Sequence, residues 1–280
     1  MKYKSIFISL IIYIILAVLL PIINQNEATY RFLPGSTDGI QLFFLMLLLF
    51  IPSIIFTLAF GYLLPPIYLF LHKNIIGRQM EYGIQEKEKP AEFKRTFRGV
   101  FAGLMAMNLS LILAPFLEKL VIRPMMLIER SPTNIFFMTF IFTLVLTIGP
   151  SAGLFAGAWF LNDSGISYTN IKKTQKKNAI IEVRGVGNWY TYALKGYAGV
   201  GVIISYISIL LTFLARNDEL INIIFDGVLT FLLPFLLAAS IMPSLLILDY
   251  LKDHRIQYIR KIAEKLGIRN TIDLEVKLQN

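Results

Sequence analysis

Six apolar stretches without a charged residue run along the chain: Ser5–Ile23, Ile40–Leu71, Gly99–Leu117, Ile135–Leu161, Gly196–Ala215 and Val228–Leu248. A hydrocarbon core of roughly 30 Å is crossed by about 20 apolar residues in a helix. Each stretch is close to that length or longer, so the pattern predicts an all-α membrane protein, a six-transmembrane-helix bundle. The second stretch holds more residues than one crossing needs. Pro65-Pro66 interrupts it, and a proline that precedes another proline is disfavoured in the α region. A kink or break is expected there.

The polar segments are short. His72–Arg98, Asn162–Lys195 and the tail from Asp249 onward are the longest. Each suffices for a helix or hairpin but not for an independent core. The chain therefore divides into a membrane domain, residues 1–250, and a tail, 251–280. Within the tail, Leu251–Leu266 reads as a helix. Ile256, Ile259, Ile262 and Leu266 recur at helical spacing, flanked by His254, Arg255, Arg260, Lys261 and Lys265. Such a helix lies on a lipid surface or packs on the neighbouring loops. Gly267 is its expected stop. Leu33-Pro34-Gly35-Ser36 and Arg130-Ser131-Pro132-Thr133-Asn134 read as turns, and a helix starting within Pro90–Arg98 runs into the third stretch.

Charge adds an orientation. The N-terminus, the second and fourth loops and the tail hold 22 of the 27 Lys and Arg residues, and the other three loops hold 5. Lys and Arg concentrate on the cytoplasmic side of membrane proteins, so both termini are expected in the cytoplasm of a multi-pass cell-membrane protein. The net charge of +9 then follows from topology and calls for no nucleic acid. The partners it implies are the lipid bilayer and, at the basic face, a soluble protein or anionic lipid. The chain has no cysteine, which excludes disulfides and thiolate chemistry. No motif calls for a cofactor. Arg184-Gly185-Val186-Gly187 lacks the βαβ context of a nucleotide site, and Gly185 and Gly187 read as turning the loop back to the membrane. Trp189, Tyr190 and Tyr192 beside it read as an interfacial aromatic belt.

The spans pair into three tandem hairpins, near residues 1–75, 95–165 and 190–250. Arg98-Gly99 and Lys195-Gly196 each set a cation before a glycine-rich helix start, and Pro52-Ser53, Pro150-Ser151 and Pro243-Ser244 recur in the returning spans. The mitochondrial carriers, which also have three hairpins, end their odd spans with Pro-x-[Asp/Glu]-x-x-[Lys/Arg]. Here the first span ends Pro21-Ile22-Ile23-Asn24, the third runs Pro115-Phe116-Leu117-Glu118-Lys119, and the fifth has no proline, so that family is excluded.

Candidate chemistry is sparse. Gly149, Gly153 and Gly157 share a face of the fourth span. Gly99 with Gly103 and Gly201 with Ser205 repeat the spacing in the third and fifth, and small residues so placed let helices approach closely. These glycines predict tight packing among the third, fourth and fifth spans. Pro150 marks a weak point in the fourth span, where a broken helix would expose backbone groups to a substrate. Asn108, Ser110, Ser151, Ser205 and Ser244 are the polar groups that, with Pro150, would line a path for a neutral solute. Near the basic face, Asp249, Asp253, His254, His72 and Asp163 are candidates to hold a divalent ion. The absence of charge inside the spans leaves proton- or ion-coupled chemistry without its usual residues. The expectation is a transporter or permease-like subunit for a neutral or lipid-like molecule, with a non-catalytic subunit or scaffold as the alternative.

Overall fold

A computed structural model describes residues 4, 7–15, 39–78, 80–85, 94–125, 132–170, 183–214 and 220–268. Residues 7–15 form α1. Then follow α2 (Gly39–Leu71), a π-helical turn (His72–Ile76), β1 (Met80–Ile84), α3 (Lys94–Leu117) and a second π turn (Glu118–Ile122) that runs into the short α4 (Arg123–Met125). The order continues with α5 (Pro132–Asp163), β2 (Ile166–Asn170), β3 (Arg184–Gly185), α6 (Val186–Leu214), α7 (Leu220–Tyr250) and α8 (Lys252–Lys265). The end of the first apolar stretch, the Leu33–Ser36 turn, Arg130-Ser131 and the tail beyond Ile268 lie outside the described residues.

Among the described residues, four helical segments are long and apolar enough to cross a membrane: Phe50–Ile76, Arg98–Val121, Thr139–Asp163 and Phe231–Tyr250. The chain is thus a helical protein with four candidate spans and a multi-pass membrane character. The apolar stripes point the way a bilayer demands. On α2 the exposed residues include Ile51, Ile55, Leu63 and Ile67, whereas Ser53, Thr57, Gly61 and Pro65 on the opposite face are buried. Large apolar groups outside and small or polar groups inside would be costly in water. In hydrocarbon the outer face costs nothing, and small inner residues let backbones meet.

Two expectations about these helices are corrected. Of the kink or break expected at Pro65-Pro66, the break does not occur: α2 stays helical through both prolines to Leu71 and then loosens into the π turn. Likewise α5 continues through Pro150. The glycine face of α5 also meets an unexpected partner. α5 packs along α3 and α6, but Gly149, Gly153 and Gly157 themselves face α2. A Cβ on Gly149 would lie 2.7 Å from Phe56 Cβ and 2.9 Å from Pro52 O, one on Gly153 would overlap Phe60, and one on Gly157 would lie 3.0 Å from Leu64 Cβ. Gly103 of α3 packs on α7, where an added Cβ would come 2.7 Å from Pro234 O, and Gly99 beside it faces Ala238 and Met242. Only Gly201 makes the predicted contact between third and fifth spans, lying against the Asn108 side chain.

The second and fourth loops meet across one end of the bundle, which loop-by-loop reading did not anticipate. β1 and β2 pair antiparallel, with Tyr82 opposite Tyr168, and β3 adds to the other edge of β2. Gly165 makes the turn into β2 with φ +79, and its carbonyl accepts from Gln85 N–H at 2.9 Å. The next helix starts earlier than expected. Gly185 lies in β3 and Gly187 in the first turn of α6, so neither forms a loop, and Trp189, Tyr190 and Tyr192 are helical. Gly187 is required there because a Cβ would overlap the backbone of Asn162 and Ala158.

α8 packs on the protein, against the ends of α2, α5 and α7. Its buried residues are Arg255, Ile259 and Ala263, a face rotated from the expected one. The helix ends at Gly267 as its sequence predicts. Gly267 takes φ +81, and Ile268 N–H returns to Ala263 O at 2.9 Å, a Schellman closure with both Ala263 and Ile268 buried.

The glycine contacts give a paired test. Gly153→Leu should destabilise the bundle by about 1–3 kcal/mol through overpacking. Gly196, whose added Cβ would meet nothing within 4 Å, should tolerate alanine and gain up to about 1 kcal/mol of helix propensity. Thermal unfolding in detergent measures both.

Candidate functional site

The buried polar groups divide into two sets. In the first, hydroxyls bond to helix carbonyls. Ser53 Oγ donates to Phe50 O at 2.8 Å, Thr57 Oγ1 to Gly149 O at 3.3 Å, Thr143 Oγ1 to Thr139 O at 2.6 Å and Ser240 Oγ to Leu237 O at 2.7 Å. Ser110 belongs here too. Its Oγ donates to Ala106 O at 2.8 Å and lies 2.9 Å from Thr147 Oγ1, which ties α3 to α5. Such bonds let a helix carry a hydroxyl in hydrocarbon at little cost.

The second set is unpaired. Asn108 Oδ1, Ser151 Oγ, Ser205 Oγ and Ser244 Oγ are buried without a hydrogen-bond partner. Their residues are at most 1% exposed and come from α3, α5, α6 and α7. Asn108 lies against Gly201, and Ser205 is one turn further along the same face of α6. Four of the six residues predicted to line a path are therefore unsatisfied polar groups in the apolar interior. Ser110 is satisfied, and Pro150 is a half-buried residue of a continuous helix. An unmade hydrogen bond in such a place costs on the order of 1–3 kcal/mol, and each case in a native protein calls for an explanation in function or bound solvent.

At the sheet end of the bundle lies a second concentration of polar chemistry. The Arg255 side chain reaches from α8 to α2, where Nη2 donates to Gly61 O. Its guanidinium carbon sits 3.2 Å from the centroid of the Phe160 ring and 4.7 Å from that of Tyr62. Nε and Nη1 have no partner. Burial pulls the Arg255 pKa down to about 9, against opposing pulls from Tyr62 and Asp163, so it remains a cation at neutral pH. Nearby, Lys252 Nζ lies 3.3 Å from Asp163 Oδ2, a carboxylate whose side chain is 3% exposed. Arg98 stacks over Trp159 at 4.2 Å and Lys195 over Phe101 at 5.7 Å. Arg98 and Lys195, the cations just before Gly99 and Gly196, thus both cover aromatic rings of a neighbouring helix.

His72 forms the third group. It is fully buried, with Nδ1 2.8 Å from the Tyr82 hydroxyl, which also lies 3.1 Å from His72 O. The rings of Tyr168, Trp189 and Tyr190 surround it at 4.6, 5.7 and 6.1 Å. Tyr190 in turn stacks on Tyr68 at 4.2 Å and donates to Tyr68 O at 2.8 Å. The interfacial aromatic residues of α6 are thus split. Tyr192 is exposed, whereas Tyr190 fastens α6 to α2.

The acids and histidines proposed for a divalent ion do not gather. Among the described residues no three His, Cys, Asp or Glu side chains are placed to share a metal. Asp163 is engaged by Lys252, His72 by Tyr82, and Asp253 and His254 are exposed on α8. The arginine was missed because a tail cation normally reads as surface. One signal was present: Pro65 has no N–H, so Gly61 O needs a donor from elsewhere.

No protein-family model, no curated protein and no solved structure matches this chain.

Removing one partner of a buried ion pair leaves the other charge uncompensated, at a cost of about 3–5 kcal/mol. Asp163→Asn should therefore destabilise the fold by about that much, leaving Arg98, Lys252 and Arg255 close together. Lys252→Met should cost less, because Lys252 is the more exposed partner at 16%. Denaturant or thermal unfolding of the two variants measures the difference.

Proposed function

We propose that the chain is a permease-like membrane protein that takes a small neutral polar molecule into its interior, where Asn108 of α3 meets Gly201 of α6. The observation that carries this reading is the set of four unpaired polar atoms, on Asn108, Ser151, Ser205 and Ser244, beside hydroxyls that are otherwise bonded. A purely structural core has no use for unpaired oxygens, whereas a solute with hydrogen-bond donors would pair with them. The apolar stretches that carry these four residues hold no charged side chain to partner an ion, so the solute in this reading is neutral. In this state the interface is closed, with Gly201 against Asn108 and Ser110 against Thr147. Passage then requires α6 to move relative to α3.

The six-span reading belongs to this proposal. The exposed Val200, Ile203, Ile207 and Leu211 of α6, with Ala198, Gly201 and Ser205 buried, support a further span with lipid outside and small residues inside. The first apolar stretch supplies the sixth, both termini lie in the cytoplasm, and the hairpins form three tandem units. A second reading, a scaffold that docks a soluble protein or anionic lipid, has one feature in its favour. The outer side of α8 carries a groove of about 360 Å³ lined by Tyr258, Lys261, Ile262, Glu264 and Lys265.

Stopped-flow light scattering on proteoliposomes tests the permease reading. Vesicles containing the protein should equilibrate glycerol or urea faster than empty vesicles. The double variant Asn108→Leu, Ser205→Ala should reduce the added flux at least tenfold without unfolding. Rates equal to those of empty vesicles for every neutral solute tried would overturn it.

A further inference from the structure

A proline in a helix removes one donor, and the carbonyl four residues earlier loses its partner. In α2 the prolines at 65 and 66 do this to Gly61 and Tyr62. At Gly61 the structure holds a replacement: Arg255 of α8 donates Nη2 to Gly61 O. The fit depends on glycine, since a Cβ at position 61 would stand 3.0 Å from Leu248 Cδ1 and 3.4 Å from the Arg255 guanidinium. Phe160 and Tyr62 hold the guanidinium by their ring faces. We propose that α8 is a latch on α2: with Arg255 seated, α2 runs as one unbroken helix through Pro65-Pro66, and with Arg255 withdrawn, α2 bends there.

The geometry gives the latch a reach beyond its contact. The part of α2 just before Gly61 carries Phe56 and Phe60, which pack on Gly149 and Gly153 of α5. A bend at Pro65-Pro66 changes the angle between that packed segment and everything after it, including His72 and its aromatic surround. Further along, Lys73 Nζ donates to Leu266 O at the far end of α8, so α8 lies along the last turns of α2 and grips both sides of the prolines. Arg260 Nε donates to Ser164 O at 3.1 Å, which ties the same helix to the end of α5. The latch works within the fold and needs no solute in the bundle.

Absence of cysteine makes the test clean, because introduced cysteines are the only sites for spin labels. Ile55 of α2 and Ile75 of the π turn that follows it are exposed, before and after the prolines, and roughly 30 Å apart over 20 residues of helix. The full chain carrying Ile55→Cys and Ile75→Cys, reconstituted in nanodiscs, is expected to give one narrow distance distribution by pulsed electron resonance. Arg255→Met should at least double its width. Adding Pro65→Ala restores an N–H for Gly61 O and should return the distribution to its original width despite the missing arginine. A distribution unchanged by Arg255→Met overturns the proposal, as does one that Pro65→Ala leaves broad. If Arg255→Met alone yields no folded protein, Pro65→Ala must rescue folding, and a double variant that still fails also overturns it.

Discussion

The carbonyl of Gly61 loses its usual donor within α2, because the residue four positions on is a proline. Pro65 withholds the donor, the surroundings are apolar, and an unpaired backbone group in such surroundings costs several kcal/mol at the upper end of the range for polar burial. The chain meets this with a residue 194 positions away, Arg255 on α8. That single constraint explains why a polar tail helix is seated on the bundle, why position 61 is glycine, and why Tyr62 and Phe160 are aromatic. It also accounts for a buried arginine, one of the costliest residues to place away from water. Its charge is offset by two ring faces and by the nearby Asp163, itself paired with Lys252.

From that seat the rest of the packing follows in layers. α2 presents small residues inward and large aliphatic ones to lipid, so its inner face can approach α5 until Phe56, Phe60 and Leu64 close over Gly149, Gly153 and Gly157. α3 repeats the device against α7 through Gly99 and Gly103, and α6 against α3 through Gly201. Without a hydrophobic force between helices in lipid, such close backbone contact and the hydroxyl bonds across it are what hold a bundle together. The polar end is closed by the sheet that joins the second and fourth loops. There Tyr82 and Tyr168 face each other across β1 and β2, and His72 sits between them and α6.

Much of this was legible in the sequence, and the parts that were not share a cause. Four of the six long uncharged stretches, the tail helix with its glycine stop, and the close-approach glycines are local signals, and they appear where they were read. The strand pairing of Met80–Ile84 with Ile166–Asn170 is not local, since neither loop alone shows a hairpin. The partner of the α5 glycine face was misassigned because spacing identifies a smooth face without saying what covers it. The tail helix was read with Ile256, Ile259, Ile262 and Leu266 as its apolar contact face because charge normally faces water. The arginine went inward instead, where a freed carbonyl outweighed that rule. Of the path residues, Asn108, Ser151, Ser205 and Ser244 each carry an unpaired polar atom in the interior, while Ser110 has a conventional bond to Ala106 O. Residue type marks a polar position in a span, and only the fold says whether it is satisfied.

Hydrogen–deuterium exchange of the full chain, resolved along α2, tests the seated, unbroken helix most directly. Amides of Leu69–Leu71, just past the two prolines, should exchange as slowly as those around Gly153 in α5, because α8 and α5 hold α2 on both sides of its missing donors. Fast exchange beyond Pro66, with slow exchange before Gly61, would mean that the helix breaks at the prolines and that Arg255 does not hold it.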